Sequence, residues 1–166
     1  MGVIYGYFAA ADDDDAVRAV MGEDDEPTAT GYDGFDVNGM DPTVDLLPAE
    51  VILSGRSAET IQADPRYGHL LATADDGQLL CPSLTDALRD ALAAADRGSL
   101  HHVAQVWAAS DVFPTPPDPQ GLAEFLEQAI DLAGRAVERG HRLYCWICVR
   151  RAPAPLALPV QRQGGG

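Results

Sequence analysis

The chain has 166 residues, the length of one ordinary domain. A chain of that size buries about two-thirds of its unfolded surface, so it needs neither disulfide nor metal to fold. Its 46% hydrophobic content excludes a disordered polymer despite a net charge of −15. No apolar run approaches the ~20 residues of a bilayer span. The opening residues, MGVIYGYF, carry no basic segment and no small-residue cleavage site. A cytoplasmic protein that engages no membrane is expected.

All eleven basic residues are arginine, and Asn38 is the single asparagine. GC-rich bacterial codon usage imposes that bias without functional meaning. The acids are unevenly placed: twelve of 26 lie between Asp12 and Asp45, where Arg18 is the only base. From Arg139 to Gly166 there are five arginines and no acid. An acidic excess of this kind repels phosphate backbones and anionic lipid, so no nucleic-acid partner is expected. Three cysteines without a secretory leader are expected to stay reduced.

Val3–Phe8 is short, apolar and rich in β-branched and aromatic residues, which predicts a strand. Asp12 suits a helix N-cap, Asp13 to Asp15 suit the positive helix end, and Val17, Val20 and Met21 give an apolar stripe. Gly22–Asn38 is acidic and unperiodic, which predicts a long surface loop. Asp41-Pro42 predicts a helix start, with Val44, Leu47, Val51 and Ile52 turned inward. Pro48 must kink or split that helix, and Ser54-Gly55 closes it. A short helix follows from Ser57 to about Ala63.

Leu70–Thr73 and Gln78–Cys81 flank Asp75-Asp76-Gly77 in the pattern of a hairpin. Pro82 ends the second arm. Ser83-Leu84-Thr85-Asp86 resembles a capping box opening a helix that buries Leu84, Leu88, Ala91, Leu92 and Ala95. Arg97-Gly98 stops it, and Ser99 caps a helix presenting Leu100, Val103, Ala104 and Trp107 on one side. Pro114–Pro119 is an extended linker. Asp118-Pro119 starts the longest helix, which ends near Arg139 before Gly140. Its stripe is Leu122, Phe125, Leu126, Ala129, Ala133, Ala136 and Val137. Leu143–Val149 is apolar on both faces, the pattern of a strand inside a covered sheet.

Pro153, Pro155, Pro159 and the terminal glycines make 150–166 a disordered tail, leaving 1–149 as a single globular domain. The class is α+β: a small sheet of three or four strands packed by about five helices, with the first and last strands central.

The order of several segments resembles the YfbM-like bacterial family, a domain of unknown function. These are MGVIYGYF, LLPAEVILSG after an acidic loop, CPSLTDALRDALAAAD, DVFP before a linker, and AVERGHRLYCWICV. The likeness covers nearly all of the chain to Val149 and rests on structural motifs. The family pattern places a Trp or His near the helix before its Leu-rich turn. Asn38–Asp45 has neither, which makes this a divergent member. The resemblance implies an α/β-type cytosolic domain and brings no established activity or functional residue.

Few residues carry chemistry by their spacing. Cys145 and Cys148 form a C-x-x-C, but inside a strand residues three apart point to opposite faces, so buried reduced thiols are expected. Zinc needs about four convergent ligands. Cys81, Cys145, Cys148, His69, His101, His102 and His141 show no such spacing. Gly34–Asp45 partly matches a calcium loop but begins with Gly and ends in Asp rather than Glu. No cofactor or metal is expected, and no phosphate-binding or hydrolase motif is present.

The leading expectation is an acidic interaction protein, not an enzyme, that binds a basic protein partner in a regulatory or toxin-neutralising role. Electrostatic steering by Asp12, Asp13, Asp14, Asp15, Glu23, Asp24, Asp25 and Glu26 would draw the partner in. The alternative is a small hydrolase or transferase using His101, His102 and loop carboxylates. Nothing in the sequence specifies an oligomeric state.

Overall fold

The computed structural model describes residues 2–21, 31–74 and 77–150. The two strongly apolar runs become strands β1 (Gly2–Ala10) and β5 (Arg142–Arg150). They pair antiparallel along their whole length, from Gly2 opposite Arg150 to Ala10 opposite Arg142. Strand β2 (Gly34–Asn38) adds to the free edge of β1, and the hairpin of β3 (Leu70–Ala74) and β4 (Leu79–Pro82) adds to β5. The sheet order is β2-β1-β5-β4-β3.

The α+β class is as expected, and the first and last strands do pair in the sheet interior. The sheet has five strands rather than three or four. The additional one, β2, lies in the stretch expected to be loop. Asp36 and Asn38 are exposed there, but Phe35 and Val37 pack on the core, and the ladder with β1 supplies what local propensity lacks. Residues 22–30 of the expected loop, the Asp75-Asp76 turn and 151–166 of the expected tail lie outside the described residues. Arg150, assigned to the tail by composition, ends β5.

Six α-helices are described: α1 (Asp13–Val20), α2 (Leu47–Ser54), α3 (Ala58–Gln62), α4 (Asp86–Ala93), α5 (Leu100–Ala108) and α6 (Pro119–Arg139). None is long and apolar enough to cross a membrane. Alternation along the strands sends Tyr7, Ala9, Leu143 and Cys145 to one face of the sheet, under α2, α4, α5 and α6. Phe8, Ala10, Tyr144 and Trp146 go to the other, where α1 packs through Ala16, Ala19 and Val20. Phe125 of α6 centres the larger core. Its ring meets Tyr7 at 5.3 Å, Phe35 at 5.6 Å and Trp107 at 5.9 Å between centroids.

The caps explain several departures from the expected boundaries. Thr85, not Ser83, caps α4 by accepting from the Leu88 N–H at 3.0 Å. Ser83 bridges to Tyr144 of β5, and its hydroxyl donates to the Arg66 carbonyl. Asp96 accepts from Gly98 N–H in the 3₁₀ turn Arg97–Ser99, so α5 grows from that turn and Ser99 makes no side-chain cap. Gly140 ends α6 at φ +70°, a conformation glycine adopts without steric cost. Met21, the residue that caps the C-terminus of α1, and Val137 in the last turn of α6 were expected on buried stripes and are exposed.

Candidate functional site

The acidic start of α1 is largely committed to the fold. Asp12 accepts from Asp15 N–H at 2.8 Å and so caps the helix. Asp13 accepts from the Tyr144 hydroxyl at 2.7 Å and from Arg66 Nη1 at 3.0 Å. The Arg66 guanidinium also stacks on the Tyr144 ring, 5.5 Å from its centroid. Partial burial opposes ionisation of Asp13, but these two hydrogen bonds outweigh it and hold the carboxyl below its ordinary value. Asp15 accepts from Ala11 N–H at 3.0 Å and from the Tyr32 hydroxyl at 2.8 Å. Of the four, only Asp14 is exposed and without a partner among the described residues. Glu23, Asp24, Asp25 and Glu26 lie outside the described residues.

His101 and His102 stand exposed in the first turn of α5. Neither lines the open clefts at α2–α5, at β3–β4 or beside α6. No three of the described His, Cys, Asp and Glu residues gather in a metal-like cluster. Gly34–Asn38 is strand, so the calcium-like stretch does not wrap around a point. Cys145 and Cys148 do face apart, as alternation requires: one packs in the larger core and the other beside the smaller. Cys148 is half-buried, which corrects the expectation that both are buried.

The segment between β2 and α2 shapes the surface on the other side. The expected helix from Asp41 does not form. Asp41 Oδ1 accepts from Thr43 N–H at 2.8 Å and Val44 N–H at 3.1 Å, closing a turn. Three aromatic donors fix that turn: Tyr7 to the Met40 carbonyl, Tyr67 to the Thr43 carbonyl, and Trp107 Nε1 to the Asp45 carbonyl at 2.7 Å. Helix α2 then starts afresh with Pro48 in its first turn, where a missing N–H costs nothing, so there is no kink. This changes the buried face. Leu46, Ala49 and Glu50 go inward, Val44 is exposed, and Leu47, Val51 and Ile52 stay only half-covered.

The half-covered residues form an open groove of about 420 Å³ with Pro48, Val106 and Ser110, between α2, α3 and α5. Val106 is 45% exposed. Ser110 Oγ is buried in the wall without a hydrogen-bond partner. Two further open clefts have Asp41 and Asp118 as the ionisable side chains in their walls. Both carboxylates already accept from backbone N–H groups. Glu50 faces inward at 3% exposure and accepts from the Thr85 hydroxyl at 2.7 Å. Burial pushes its carboxyl above the ordinary value, with Asp64 adding to the shift and Thr85 and Arg56 opposing it. Sequence reading missed Glu50 and the groove. The signal was present in LPAEVILS, a helix too apolar for the little of it that is buried.

Every arginine whose side chain is described lies within 4 Å of a carboxylate: Arg18, Arg56, Arg66, Arg89, Arg97, Arg135, Arg139 and Arg142. Asp14, Glu59, Asp111, Glu124, Glu127 and Glu138 are exposed and make no ion pair among the described residues. Comparison of the chain with protein-family models, curated proteins and solved structures returns no match.

Proposed function

We propose that the protein is an acidic interaction module that binds a basic protein partner in the cytoplasm, in the manner of a regulator or inhibitor of a cationic enzyme. One observation carries the reading: each arginine whose side chain is described lies within 4 Å of a carboxylate, while several exposed carboxylates have no ion pair among the described residues. An uncompensated surface of one sign raises the encounter rate with a partner of the other sign and disfavours nucleic acid. The resemblance to the YfbM-like family forms part of this proposal and adds no activity to it. The reading moves the steering charge away from Asp12, Asp13 and Asp15, which serve the fold, toward Asp14, the Glu23–Glu26 stretch and the outer face of α6.

The test is affinity capture from the native host at about 0.1 M salt, where the Debye length is about 10 Å, followed by elution at about 1 M, where it is about 3 Å. A basic protein retained in the first buffer and released in the second supports the proposal. Its association should slow when Glu124, Glu127 and Glu138 become Gln, with little change in dissociation. A partner held equally in both buffers, or no partner, overturns it.

A further inference from the structure

We propose that the cleft between the β2–α2 turn and the β3–β4 hairpin holds an arginine side chain of the basic partner. This rests on the acidic-module reading and deepens it by naming the anchoring residue and its place. The cleft is open and about 300 Å³ in volume. Its floor belongs to one cross-strand row, Val37, Tyr5, Ile147, Leu80 and Thr73, aligned by the register of all five strands. Two residues further in, Tyr7 and Cys145 are buried under the helices, whereas every member of this row keeps some exposure. Ile147 and Leu80 line the cleft together with Leu70, which is 46% exposed.

Asp41 supplies the charged side chain in the wall. Its carboxylate is fixed but not neutralised. Oδ1 accepts from Thr43 N–H at 2.8 Å, the Thr43 hydroxyl at 2.9 Å and Val44 N–H at 3.1 Å. Among the described residues Asp41 makes no ion pair, and neither does Asp45 one turn on. Both charges reach Tyr5 of the floor row: partial burial raises its hydroxyl above the ordinary value, and Asp41 and Asp45 raise it further.

Arginine fits this combination. Its aliphatic stem lies on apolar surface while the planar, weakly hydrated guanidinium reaches a carboxylate. An anionic group would be repelled. A purely apolar one would strip water from Asp41 and return no partner. A metal ion would find too few ligands, since no three His, Cys, Asp or Glu side chains gather among the described residues.

The probe is N-acetyl-arginine amide, titrated into the full chain and followed by amide chemical shifts. N-acetyl-citrulline amide, which has nearly the same shape and no charge, is the control. The arginine probe should saturate in the millimolar range and shift the amides of Thr43, Gly68, Leu80 and Ile147. Citrulline should bind about fivefold more weakly. Asp41→Asn keeps an oxygen for Thr43 and Val44 and should bring the arginine probe down to the citrulline level. Leu70→Ser, at an exposed position, should weaken both probes about threefold.

Equal binding of the two probes, shifts that never saturate, or Asp41→Asn and Leu70→Ser proteins that bind as wild type overturn the proposal. The acidic-module reading is tested apart from it, by salt-released capture. A captured partner should dissociate faster from Asp41→Asn, because truncating an anchoring pair acts on the off-rate. A salt-released partner whose dissociation is unchanged leaves that reading standing and overturns this one.

Discussion

The Trp146 indole lies flat across Gly6 of the neighbouring strand. A Cβ built on Gly6 would stand 2.0 Å from Trp146 Nε1 and 2.5 Å from Cε2. The two residues are directly opposite in the β1–β5 ladder. Glycine is required there for space rather than for backbone freedom. The indole fills what a side chain would occupy, and Trp146 is consequently 1% exposed.

Gly6→Ala should therefore destabilise by about 1–3 kcal/mol or more, the range of core overpacking. Denaturant unfolding measures it. Combining it with Trp146→Leu should recover part of the loss, because the smaller side chain vacates the space. Strict additivity of the two losses would show that the indole is not what Gly6 accommodates.

Asp13 and Asp14 are neighbours with opposite duties. Asp13→Asn loses the charge-assisted bond from Arg66 and should cost about 1–2 kcal/mol, discounted because the Asp13 side chain is 41% exposed. Asp14→Asn should cost less, because it loses only its place at the positive end of α1. The sign with pH follows from the lowered Asp13 value. Its contribution is complete above the unfolded carboxyl pKa of ~3.9 and is lost as pH falls through the lower folded value. The Asn variant should accordingly show a flatter acid limb in a series of unfolding curves. A wild-type-like acid limb in Asp13→Asn would refute the assignment.

Thiol reactivity should follow burial. Cys81 is fully buried, and burial, with the Asp13 charge behind it, pushes its thiol up to about 12. Burial raises Cys145 well above its ordinary value, with smaller contributions from Cys81 and Asp41. Cys148 is half-buried. A thiol reagent on the native protein should modify Cys148 first, and the other two only at the rate of unfolding. Equal rates for Cys145 and Cys148 would contradict the opposite-face arrangement.

Much of this architecture was legible in the sequence, and the reasons differ by element. Helix α6 has both termini marked by backbone chemistry, Asp118-Pro119 and Gly140, and a long apolar stripe, so its bounds and face were readable. Strands β1 and β5 carry short apolar runs with β-branched and aromatic residues, the pattern of a buried strand. Strand β2 was not readable, since a five-residue edge strand with Gly34, Asp36 and Asn38 takes its stability from β1. The face of α2 was misjudged because the Asp41 turn and the three aromatic tethers reset its phase, and those donors come from positions distant in sequence. The acidic run was visible, but not its division of labour. Which aspartate meets Tyr144 or Tyr32 depends on tertiary packing.

Glu50 gives the sharpest test of that tertiary reading, because its behaviour should run opposite to that of Asp13. Its carboxyl is buried between α2 and α4, and Thr85 donates to it while also capping α4. Burial, the largest influence, raises its pKa, Asp64 works the same way, and Thr85 and Arg56 counter only in part. A carboxyl held above its unfolded value of ~4.3 binds its proton more tightly in the fold. Its favourable contribution is complete below that value and declines as pH rises through the folded one. Glu50→Gln keeps an acceptor for Thr85 and removes the charge, so at pH 8 it should stabilise by about 1 kcal/mol or more. Glu50→Ala leaves the Thr85 hydroxyl without its acceptor and should cost about 1–3 kcal/mol. Unfolding free energies of the three proteins between pH 4 and 8 decide the matter. The wild type should lose ground to the Gln variant steadily across that window, whereas a constant difference would mean that Glu50 does not titrate there and that the buried carboxylate is held by contacts beyond Thr85 and Arg56.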